Sequence, residues 1–344
     1  MGTRRRRVSV IHFISKLVKW DDLRMQIISN PTQVDIKKAA QSLKEGHLVA
    51  FPTETVYGLG ADATNKKAVG RIYSVKGRPT DHPLIVHISS INQLDNWATD
   101  IPEYALKLAE EFWPGPMTLI LKRSDLAKDF ITGGQDNIGL RVPNQPIALA
   151  LLREFESIGG LGIAAPSANR FGAVSPTQSD AVRDELKNFL KLTDLILDGG
   201  QCQIGIESTI IDCTNKNPYI LRLGAITHKM IKDSFNYTIK SSNYQSKIKA
   251  PGLLVAHYSP EAKVILGGNT EKGDGFIAMV SIISPVGVVR LASPETVEEF
   301  AKVFYASLRL GDKKRLKRIV VIEPEGEGLA EAIRDRLKKS AAGN

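Results

Sequence analysis

Residues 51–60 read FPTETVYGLG, and this stretch decides the fold class because it places a polar loop directly after a buried strand. The preceding residues 46–50, GHLVA, are apolar enough for that strand, and Pro52 ends its hydrogen-bonding ladder. Two threonines, a glutamate and a tyrosine come before Gly58 and Gly60, which permit close approach of a backbone. Ligands bind at the strand ends of α/β sheets, so the stretch predicts an α/β fold with a site here, although a self-capping polar turn is an equal alternative.

Outward from this stretch, short apolar runs alternate with amphipathic runs, which is the pattern of an α/β protein. Helices are predicted over 34–46, 66–77, 103–113 and 146–156. Strands are predicted over 48–51, 83–88, 117–122, 138–142, 161–165, 194–198, 208–212 and 219–223. So many adjacent strands are incompatible with a purely parallel sheet.

The composition changes after residue 235, where NYTIKSSNYQSK is polar and weakly periodic and APGLLVAHYSP follows at 250–260. Further strands are predicted over 263–268, 276–282, 286–292 and 318–324, with helices over 295–312 and 328–339. A chain of 344 residues is also too long for one typical core. We therefore expect a basic N-terminal extension at 1–24, a first α/β domain at 25–235, a linker at 236–262 and a smaller α/β domain at 263–344.

The net charge of +9 is concentrated at the N-terminus, since residues 1–24 hold seven basic and two acidic side chains. We expect this tail to be a non-essential leader ahead of an internal start at Met25, with contact to RNA or anionic lipid as the alternative. No apolar run approaches the roughly 20 residues that cross a bilayer. Two isolated cysteines, Cys202 and Cys213, form neither a CxxC zinc site nor a disulfide framework, so we expect a cytoplasmic protein.

A second polar segment, SVKGRPTDHP at 74–83, places Lys76 and Arg78 on either side of Gly77. On a continuous helix such a pair would not share a face. Because Gly77 and Pro79 end the helix, both side chains can converge on one anion. A lysine point charge beside an arginine fork suits a polyphosphate, whereas two solvated charges leaving a helix are the alternative.

A third segment, APSANRFGAVSPT at 165–177, combines small residues with hydroxyl groups after an apolar run. Its backbone N–H groups and short side chains suit phosphate oxygens or a ribose, and a surface turn is the alternative. Other polar side chains lie at further strand ends, namely His87, Ser208, Thr209 and Arg222. The Walker A, GxSxG, HExxH and GxGxxG patterns are all absent from the sequence.

Seven segments resemble, in content and in order, the YrdC-type threonylcarbamoyl-AMP synthases. They are FPTETVYGLGADA, KGRP followed by PLIVHI, WPGPMTLIL, LRVP, APSAN, STIID and LRLGAI. APGLLVAHYSP and the domain after it resemble the linker and C-terminal domain of the long, two-domain form of that family. The resemblance covers about residues 25–340, and seven motifs in one order are highly specific.

The resemblance implies a twisted mixed sheet with a large basic cavity and a small Rossmann-like C-terminal domain. It also implies a reaction in which L-threonine, bicarbonate and ATP give threonylcarbamoyl-AMP and pyrophosphate. Magnesium would be held by the ATP phosphates and by water, not by protein ligands. Partner proteins would then transfer the threonylcarbamoyl group to tRNA, which this chain would meet only indirectly.

The family's site residues carry over by position. Lys76 and Arg78 match its KxR pair and are the expected catalytic residues. The expected ATP-binding set comprises Lys76, Arg78, His82, Thr118, Ser167, Asn169, Ser175, Ser208 and Arg222. The expected threonine-binding set comprises Thr55, His87, Arg141 and Ser208, and the expected lid contacts from the linker are His257 and Tyr258. His82 departs from the asparagine frequent at its position and can replace only one amide contact.

Two alternatives remain open from sequence. An RNA-binding YrdC-like module without adenylation activity would also use a basic cavity and tail, but aromatic residues make up only 6% of the chain and form no stripe with basic ones. Carbamoyl-transferring maturation enzymes share a YrdC-like domain, but they add zinc-finger cysteines that this chain does not supply.

Overall fold

Ten strands form one mixed sheet within the part of the chain that the computed structural model describes, residues 26–235, 248–254 and 256–343. The strands are β1 (Gln26–Ser29), β2 (Val49–Phe51), β3 (Gly58–Asp62), β4 (Ile85–His87), β5 (Met117–Lys122), β6 (Asn137–Arg141), β7 (Ile163–Ala164), β8 (Leu195–Asp198), β9 (Thr209–Asp212) and β10 (Tyr219–Arg222). Their order is β1-β8-β2-β3-β7-β4-β6-β5-β9-β10. The expected extension at 1–24 and the linker residues 236–247 lie outside the described residues.

Parallel and antiparallel pairs both occur in this sheet, which confirms the prediction of a mixed sheet. Strand β4 pairs parallel with β6 and antiparallel with β7, while β2 pairs antiparallel with β3. The parallel pair brings His87 opposite Arg141. Two residues of the expected threonine-binding set thus lie side by side at one strand end.

Helices cover both faces of the sheet. They are α1 (Gln33–Lys44), α2 (Lys66–Lys76), α3 (Leu94–Trp97), α4 (Glu103–Phe112), α5 (Asp129–Thr132), α6 (Pro146–Ser157), α7 (Ser179–Leu186) and α8 (His228–Phe235). Alternate residues of a strand face opposite sides, so Phe51 packs with α1 and α6 while Ala50 belongs to the core beneath α2 and α4. The four predicted helices of this part are confirmed, and α3, α5, α7 and α8 are additions.

A second sheet is built from β11 (Lys263–Leu266), β12 (Gly275–Ile277), β13 (Val289–Ala292) and β14 (Arg318–Val321). Its order is β11-β14-β12-β13 and every pair is parallel. The helices α9 (Val297–Lys313) and α10 (Leu329–Ala341) complete this part. A smaller α/β domain is predicted from the apolar runs, and three of the four strands lie inside those runs while β12 begins one residue earlier, at Gly275.

The glycines of the opening stretch have a different role from the one expected. Both belong to β3 and not to a flexible loop. A Cβ atom on Gly60 would lie 2.8 Å from Ile163 Cγ2 and 2.9 Å from Phe51 Cε1. Gly60 is therefore a packing requirement of the sheet, because a side chain there would overlap two core residues.

A hydrophobic cluster joins the two sheets. Val56, Val174 and Ile206 from the first part pack in one cluster with Phe300 and Tyr305 of α9. These residues are all nearly inaccessible to solvent. The two parts therefore share a core, and the first part's polar loops are held against the helices of the second.

Candidate active site

One cavity gathers most of the residues predicted from separate strand ends. Its wall includes Thr55, Lys76, Arg78, His87, Arg141, Ser167, Asn169, Ser208, Arg222, His257 and Tyr258. These side chains come from the loop after β2, the end of α2, the ends of β4, β6 and β10, the 165–171 loop and the linker. The sheet order explains the convergence, since these strand ends are neighbours in space although they are distant in sequence.

The loop after β2 is held by its own hydroxyl groups and by an arginine. Thr53 Oγ1 donates to the carbonyl of Val56 at 2.7 Å and lies 2.8 Å from Thr55 Oγ1. Arg141 Nη2 donates to Glu54 Oε1 at 2.6 Å and to Thr55 Oγ1 at 3.0 Å. The buried Glu54–Arg141 ion pair thus fixes the guanidinium beside the threonine hydroxyl.

His87 lies next to this ion pair as a neutral ring. Burial, with the charge of Arg141, lowers the pKa of His87 to about 3. Its Nδ1 is buried and has no hydrogen-bond partner among the described residues. A neutral imidazole nitrogen facing a cavity can bind a polar group of a small ligand without adding charge.

The end of α2 places Lys76 and Arg78 on the cavity wall, as the broken-helix interpretation predicted. Gly77 adopts φ +62, and a Cβ atom there would lie 2.8 Å from Arg170 Nη2. Arg78 Nη2 donates to the carbonyl of Pro83 at 2.9 Å, and its guanidinium lies 5.7 Å from the Phe171 ring centroid. The helix therefore ends in a left-handed residue, Gly77, where a larger side chain would meet Arg170. This residue separates the two cations, Lys76 and Arg78.

Lys76 is the most strongly desolvated of these cations. Its Nζ donates to the carbonyl oxygens of Ser167 at 2.6 Å and Asn169 at 2.5 Å. Burial and the neighbouring Arg78 lower the pKa of Lys76 well below its usual value. Burial also lowers the pKa of Arg78, to about 10. An anion entering the cavity would relieve both, because it supplies the missing countercharge.

The 165–171 loop brings Ser167 and Asn169 to the same wall. Asn169 Nδ2 donates to the carbonyls of Arg170 at 2.7 Å and Ala173 at 2.8 Å. Its Oδ1 is buried without a hydrogen-bond partner in the described part of the chain. The amide is thus fixed by its nitrogen while its oxygen remains able to accept from a ligand.

On the opposite side, Arg222 fixes the start of β9. Its Nη2 donates to Ser208 Oγ at 3.0 Å, and its Nη1 donates to the carbonyl of Pro251 at 3.0 Å. Ser208 Oγ lies 2.8 Å from Thr118 Oγ1, which is itself fully buried. Arg222 therefore links the sheet to the linker.

Three residues of the expected ATP-binding set lie outside the cavity lining: His82, Thr118 and Ser175. Thr118 and Ser175 are buried behind it, where Ser175 Oγ donates to Glu207 Oε1 at 2.7 Å. The half-exposed His82 ring lies edge-on to Phe171 at 5.3 Å. These residues touch wall residues and not the cavity itself.

Two carboxylates of the site were missed from sequence, Glu54 and Glu207. Glu54 precedes Thr55 and Glu207 precedes Ser208, and both of these neighbours were predicted as site residues. A single acidic residue at the polar end of a strand is the sequence signal that could have identified each of them. Burial alone would raise the pKa of Glu207, but Arg336 and Arg222 overcome this effect and lower it to about 2. Glu207 is thus an ionised carboxylate in a buried wall.

The described part of the linker closes one side of the cavity. Tyr258 adopts φ +62, and its ring centroid lies 4.0 Å from that of His257. The Ser340 hydroxyl donates to the Tyr258 carbonyl at 2.9 Å, and Lys339 Nζ donates to the Gly252 carbonyl at 2.9 Å. Burial lowers the pKa of His257 to about 3, so the ring is neutral.

The cavity is strongly basic and has little free space. Four cations, Lys76, Arg78, Arg141 and Arg222, line it against one carboxylate, Glu207, among the described residues. Its volume is about 60 Å³, which is room for a few water molecules but not for a nucleotide. Filling it with a large anion requires movement of at least one wall segment, and the segments outside the strands include the loop after β2, the 165–171 loop and the linker.

Comparison with known proteins identifies relatives over most of the chain. A family model described as "Telomere recombination" matches residues 41–224, and one described as "Threonylcarbamoyl-AMP synthase, C-terminal domain" matches residues 226–342. The threonylcarbamoyl-AMP synthase of Pyrococcus abyssi is 40% identical over 89% of this chain and 94% of the relative. That of Bacillus subtilis is 38% identical over 94% of this chain and 96% of the relative.

Solved structures give the same relationship. Pyrococcus abyssi Sua5 complexed with L-threonine superposes with a TM-score of 0.83 at 37% identity, covering 93% of this chain and 98% of that structure. A double alanine variant of the same protein gives a TM-score of 0.82 at 36% identity, covering 93% and 97%. The resemblance thus extends over both α/β parts of the fold.

Proposed function

The chain belongs to the family of threonylcarbamoyl-AMP synthases, and from this premise we propose how its basic cavity carries out that reaction. Enzymes of this family form threonylcarbamoyl-AMP from L-threonine, bicarbonate and ATP, for the modification of tRNA. The relationship favours this activity over the RNA-binding alternative. The observation that carries the assignment of residues is the convergence of hydroxyls, amides and cations on one cavity.

We propose that threonine binds at the end of β4 and β6. Arg141, held by Glu54 and adjacent to Thr55, would receive the threonine carboxylate. His87 Nδ1 would bond another polar group of the amino acid, because it is buried and lacks a partner in the described structure. Ser208 also lines the cavity and is assigned both here and to the ATP side.

The ATP phosphates are assigned to Lys76 and Arg78. The pKa values of both side chains are lowered because the buried positive charges lack sufficient negative charge nearby. The triphosphate would supply that charge. Ser167, Asn169 and Arg222 would complete the nucleotide side. His82, Thr118 and Ser175 would act through Phe171, Ser208 and Glu207, the residues that they touch.

The chemistry that this arrangement supports is displacement at phosphorus. The threonine amine adds to bicarbonate with loss of water, and an oxygen of the resulting carbamate attacks the α-phosphorus of ATP while pyrophosphate leaves. Nucleophile, electrophile and leaving group all carry negative charge. Positioning and cationic stabilisation therefore matter more than a protein nucleophile, and Lys76 and Arg78 are the proposed catalytic residues.

Magnesium is proposed to accompany ATP. The described residues contain no grouping of three or more His, Cys, Asp or Glu side chains suited to hold a metal ion. The cavity carboxylate Glu207 already accepts hydrogen bonds at both oxygens. This donor set fits an ion held by phosphates and water, and when bound the ion would neutralise phosphate charge.

The linker, assigned to 236–262 between domains at 25–235 and 263–344, is proposed to act as a lid. His257 and Tyr258 line the cavity, and the remaining volume is too small for ATP. A carbamate decomposes in water, so closure over it protects the intermediate. Residues 236–247 and 255 of this segment lie outside the described residues.

The product implies partners. Threonylcarbamoyl-AMP is a reactive mixed anhydride, so we propose a partner protein that transfers its acyl group to tRNA, and a cytoplasmic location where both are found. In the described ranges, helices that are both long and apolar enough to cross a bilayer are absent.

The test is pyrophosphate release from ATP, measured with and without L-threonine and bicarbonate. Release that requires both is the expected result. Lys76→Ala and Arg78→Ala should each lower turnover about tenfold or more, which corresponds to roughly 1.4 kcal/mol of barrier. Lys67→Ala is the matched control, because Lys67 is exposed on the same helix. Normal turnover in both cavity variants would remove these residues from the reaction.

A further inference from the structure

Glu207 is an anomaly in a cavity for anionic substrates. It is the single carboxylate among the described residues that line the cavity, and its side chain is only 8% exposed. Bringing a triphosphate near an ionised carboxylate is unfavourable, and weak solvent screening in a buried wall makes the repulsion larger. The cavity wall must therefore contain groups that neutralise the negative charge of Glu207.

The groups that donate to the Glu207 oxygen Oε2 come from the C-terminal part of the chain, and Arg222 of the first part adds a further positive charge nearby. Arg336 Nε on α10 donates to Glu207 Oε2 at 3.1 Å, and the Tyr305 hydroxyl on α9 donates to the same oxygen at 2.9 Å. Both side chains are fully buried. The other carboxylate oxygen, Oε1, accepts from Ser175 at 2.7 Å. The C-terminal helices thus reach through the shared core to the wall of the cavity.

Arg336 is itself held in one orientation. Its Nη2 donates to the carbonyl of Leu223 at 2.7 Å and its Nη1 to Asp335 Oδ2 at 2.7 Å. The guanidinium lies 5.6 Å from the ring centroid of Tyr258, a linker residue on the cavity wall. A guanidinium with this many fixed partners cannot follow Glu207 if the carboxylate turns, so it fixes the carboxylate instead.

We propose that Arg336 and Tyr305 are positioning residues through which the C-terminal domain neutralises Glu207 and keeps it turned away from the nucleotide. This inference rests on the proposed function, because it assigns the carboxylate to the ATP side of the cavity. It gives the second domain a defined contribution to the reaction. The cations that face ATP remain Lys76, Arg78 and Arg222, and Arg336 acts only through Glu207.

The decisive experiment compares dissociation constants for ATP and for L-threonine, measured by calorimetry, in Arg336→Met, Glu207→Gln and the double variant. Arg336→Met leaves an unpaired buried carboxylate and should weaken ATP binding about tenfold or more, with threonine binding changed less than about threefold. Glu207→Gln removes the charge that Arg336 neutralises, so in the Arg336→Met background it should restore most of the lost ATP affinity. The double variant should resemble Glu207→Gln, so the second substitution rescues the first.

Two further variants keep the test decisive. Arg334→Met is the matched control, because Arg334 lies on the same helix and, among the residues that the structure describes, donates to Pro324 and Gly326 of its own domain. Tyr305→Phe removes one hydroxyl and serves if Arg336→Met fails to fold. It should weaken ATP binding about threefold, and Glu207→Gln should again reverse the loss.

Joint loss of ATP and threonine affinity, or no rescue by Glu207→Gln, would overturn the inference and leave the contact as a purely structural link. A different result would contradict the proposed function. In that case the wild type would release no pyrophosphate in response to threonine and bicarbonate, whatever the ATP affinities of the variants.

Discussion

At the scale of the residue, the site depends on cations that are buried before any substrate arrives. Lys76 donates to two backbone carbonyls, so its ammonium is partly satisfied but lacks an anionic partner at hydrogen-bond distance. Arg78 lies beside it and is also nearly inaccessible. Two neighbouring cations with lowered pKa values are destabilising in the empty cavity and become favourable when a triphosphate enters.

A pH prediction follows from the Lys76 ammonium. Its pKa lies well below the usual 10.5 in the free protein, and bound phosphates should raise it again. Between these two values ATP binding should take up a proton, so ATP affinity should increase as pH falls. The measurement is calorimetry at about pH 8, where the terminal phosphate is already ionised, in two buffers of different ionisation enthalpy.

Lys76→Arg provides the control, since an arginine stays protonated in this range. Its apparent binding enthalpy should be the same in both buffers, unlike that of the wild type. A wild-type enthalpy independent of the buffer would contradict a lowered Lys76 pKa.

At the scale of the element, β2, β3 and the loop between them bring Thr55 to the cavity wall. The loop can be short because Gly60 lets β3 pack against Phe51 and Ile163 without a side chain of its own. The loop hydroxyls cap one another and the backbone, as the polar-turn alternative expected, and the binding role of the same loop stays a prediction.

Gly60→Ala should lower the melting temperature by overpacking the sheet, at a cost of about 1–3 kcal/mol. The matched control is Gly70→Ala, on the exposed face of α2, where nothing lies within 4 Å of the added carbon. That change should stabilise by about 0.5–1 kcal/mol, because alanine is the better helix former. Thermal unfolding of both variants is the measurement. An unchanged melting temperature for Gly60→Ala would show that the strand moves to accept the methyl group.

The proposal that the linker covers the carbamate intermediate leads to a separate prediction. His257→Ala should admit water to the cavity, so that water competes with the carbamate for the α-phosphorus, gives AMP, and releases more than one pyrophosphate for each threonylcarbamoyl-AMP recovered. Leu254→Ala, an exposed change in the same segment, should keep the ratio at its wild-type value. A wild-type ratio and rate in His257→Ala would argue against a lid role for this residue.

At the scale of the whole molecule, the two sheets do not form independent cores. Val56 and Ile206 from the first pack in one cluster with Phe300 and Tyr305 from the second. The Glu207–Arg336 ion pair crosses the same boundary. Opening the boundary would expose apolar surface and leave a buried charge unpaired, and both effects are unfavourable.

We therefore expect one cooperative unfolding transition in calorimetry, with a calorimetric enthalpy equal to the van't Hoff enthalpy. ATP should raise its midpoint as a single transition, because the ligand stabilises the state in which both parts are docked. Two transitions that respond separately to ATP would contradict the shared core.

The sequence by itself determined the mixed α/β class, most element positions, the helix end between Lys76 and Arg78, and the motif order that identified the family. These features are local, since periodicity, glycine, proline and short polar runs act over a few residues. Only the tertiary structure decided that Gly60 serves packing, that Thr118 and Ser175 lie behind the wall, and that Glu207 meets Arg336. Those outcomes depend on contacts between residues far apart in the chain. The packing and the charge balance of a buried side chain are set by the neighbours that the fold brings to it.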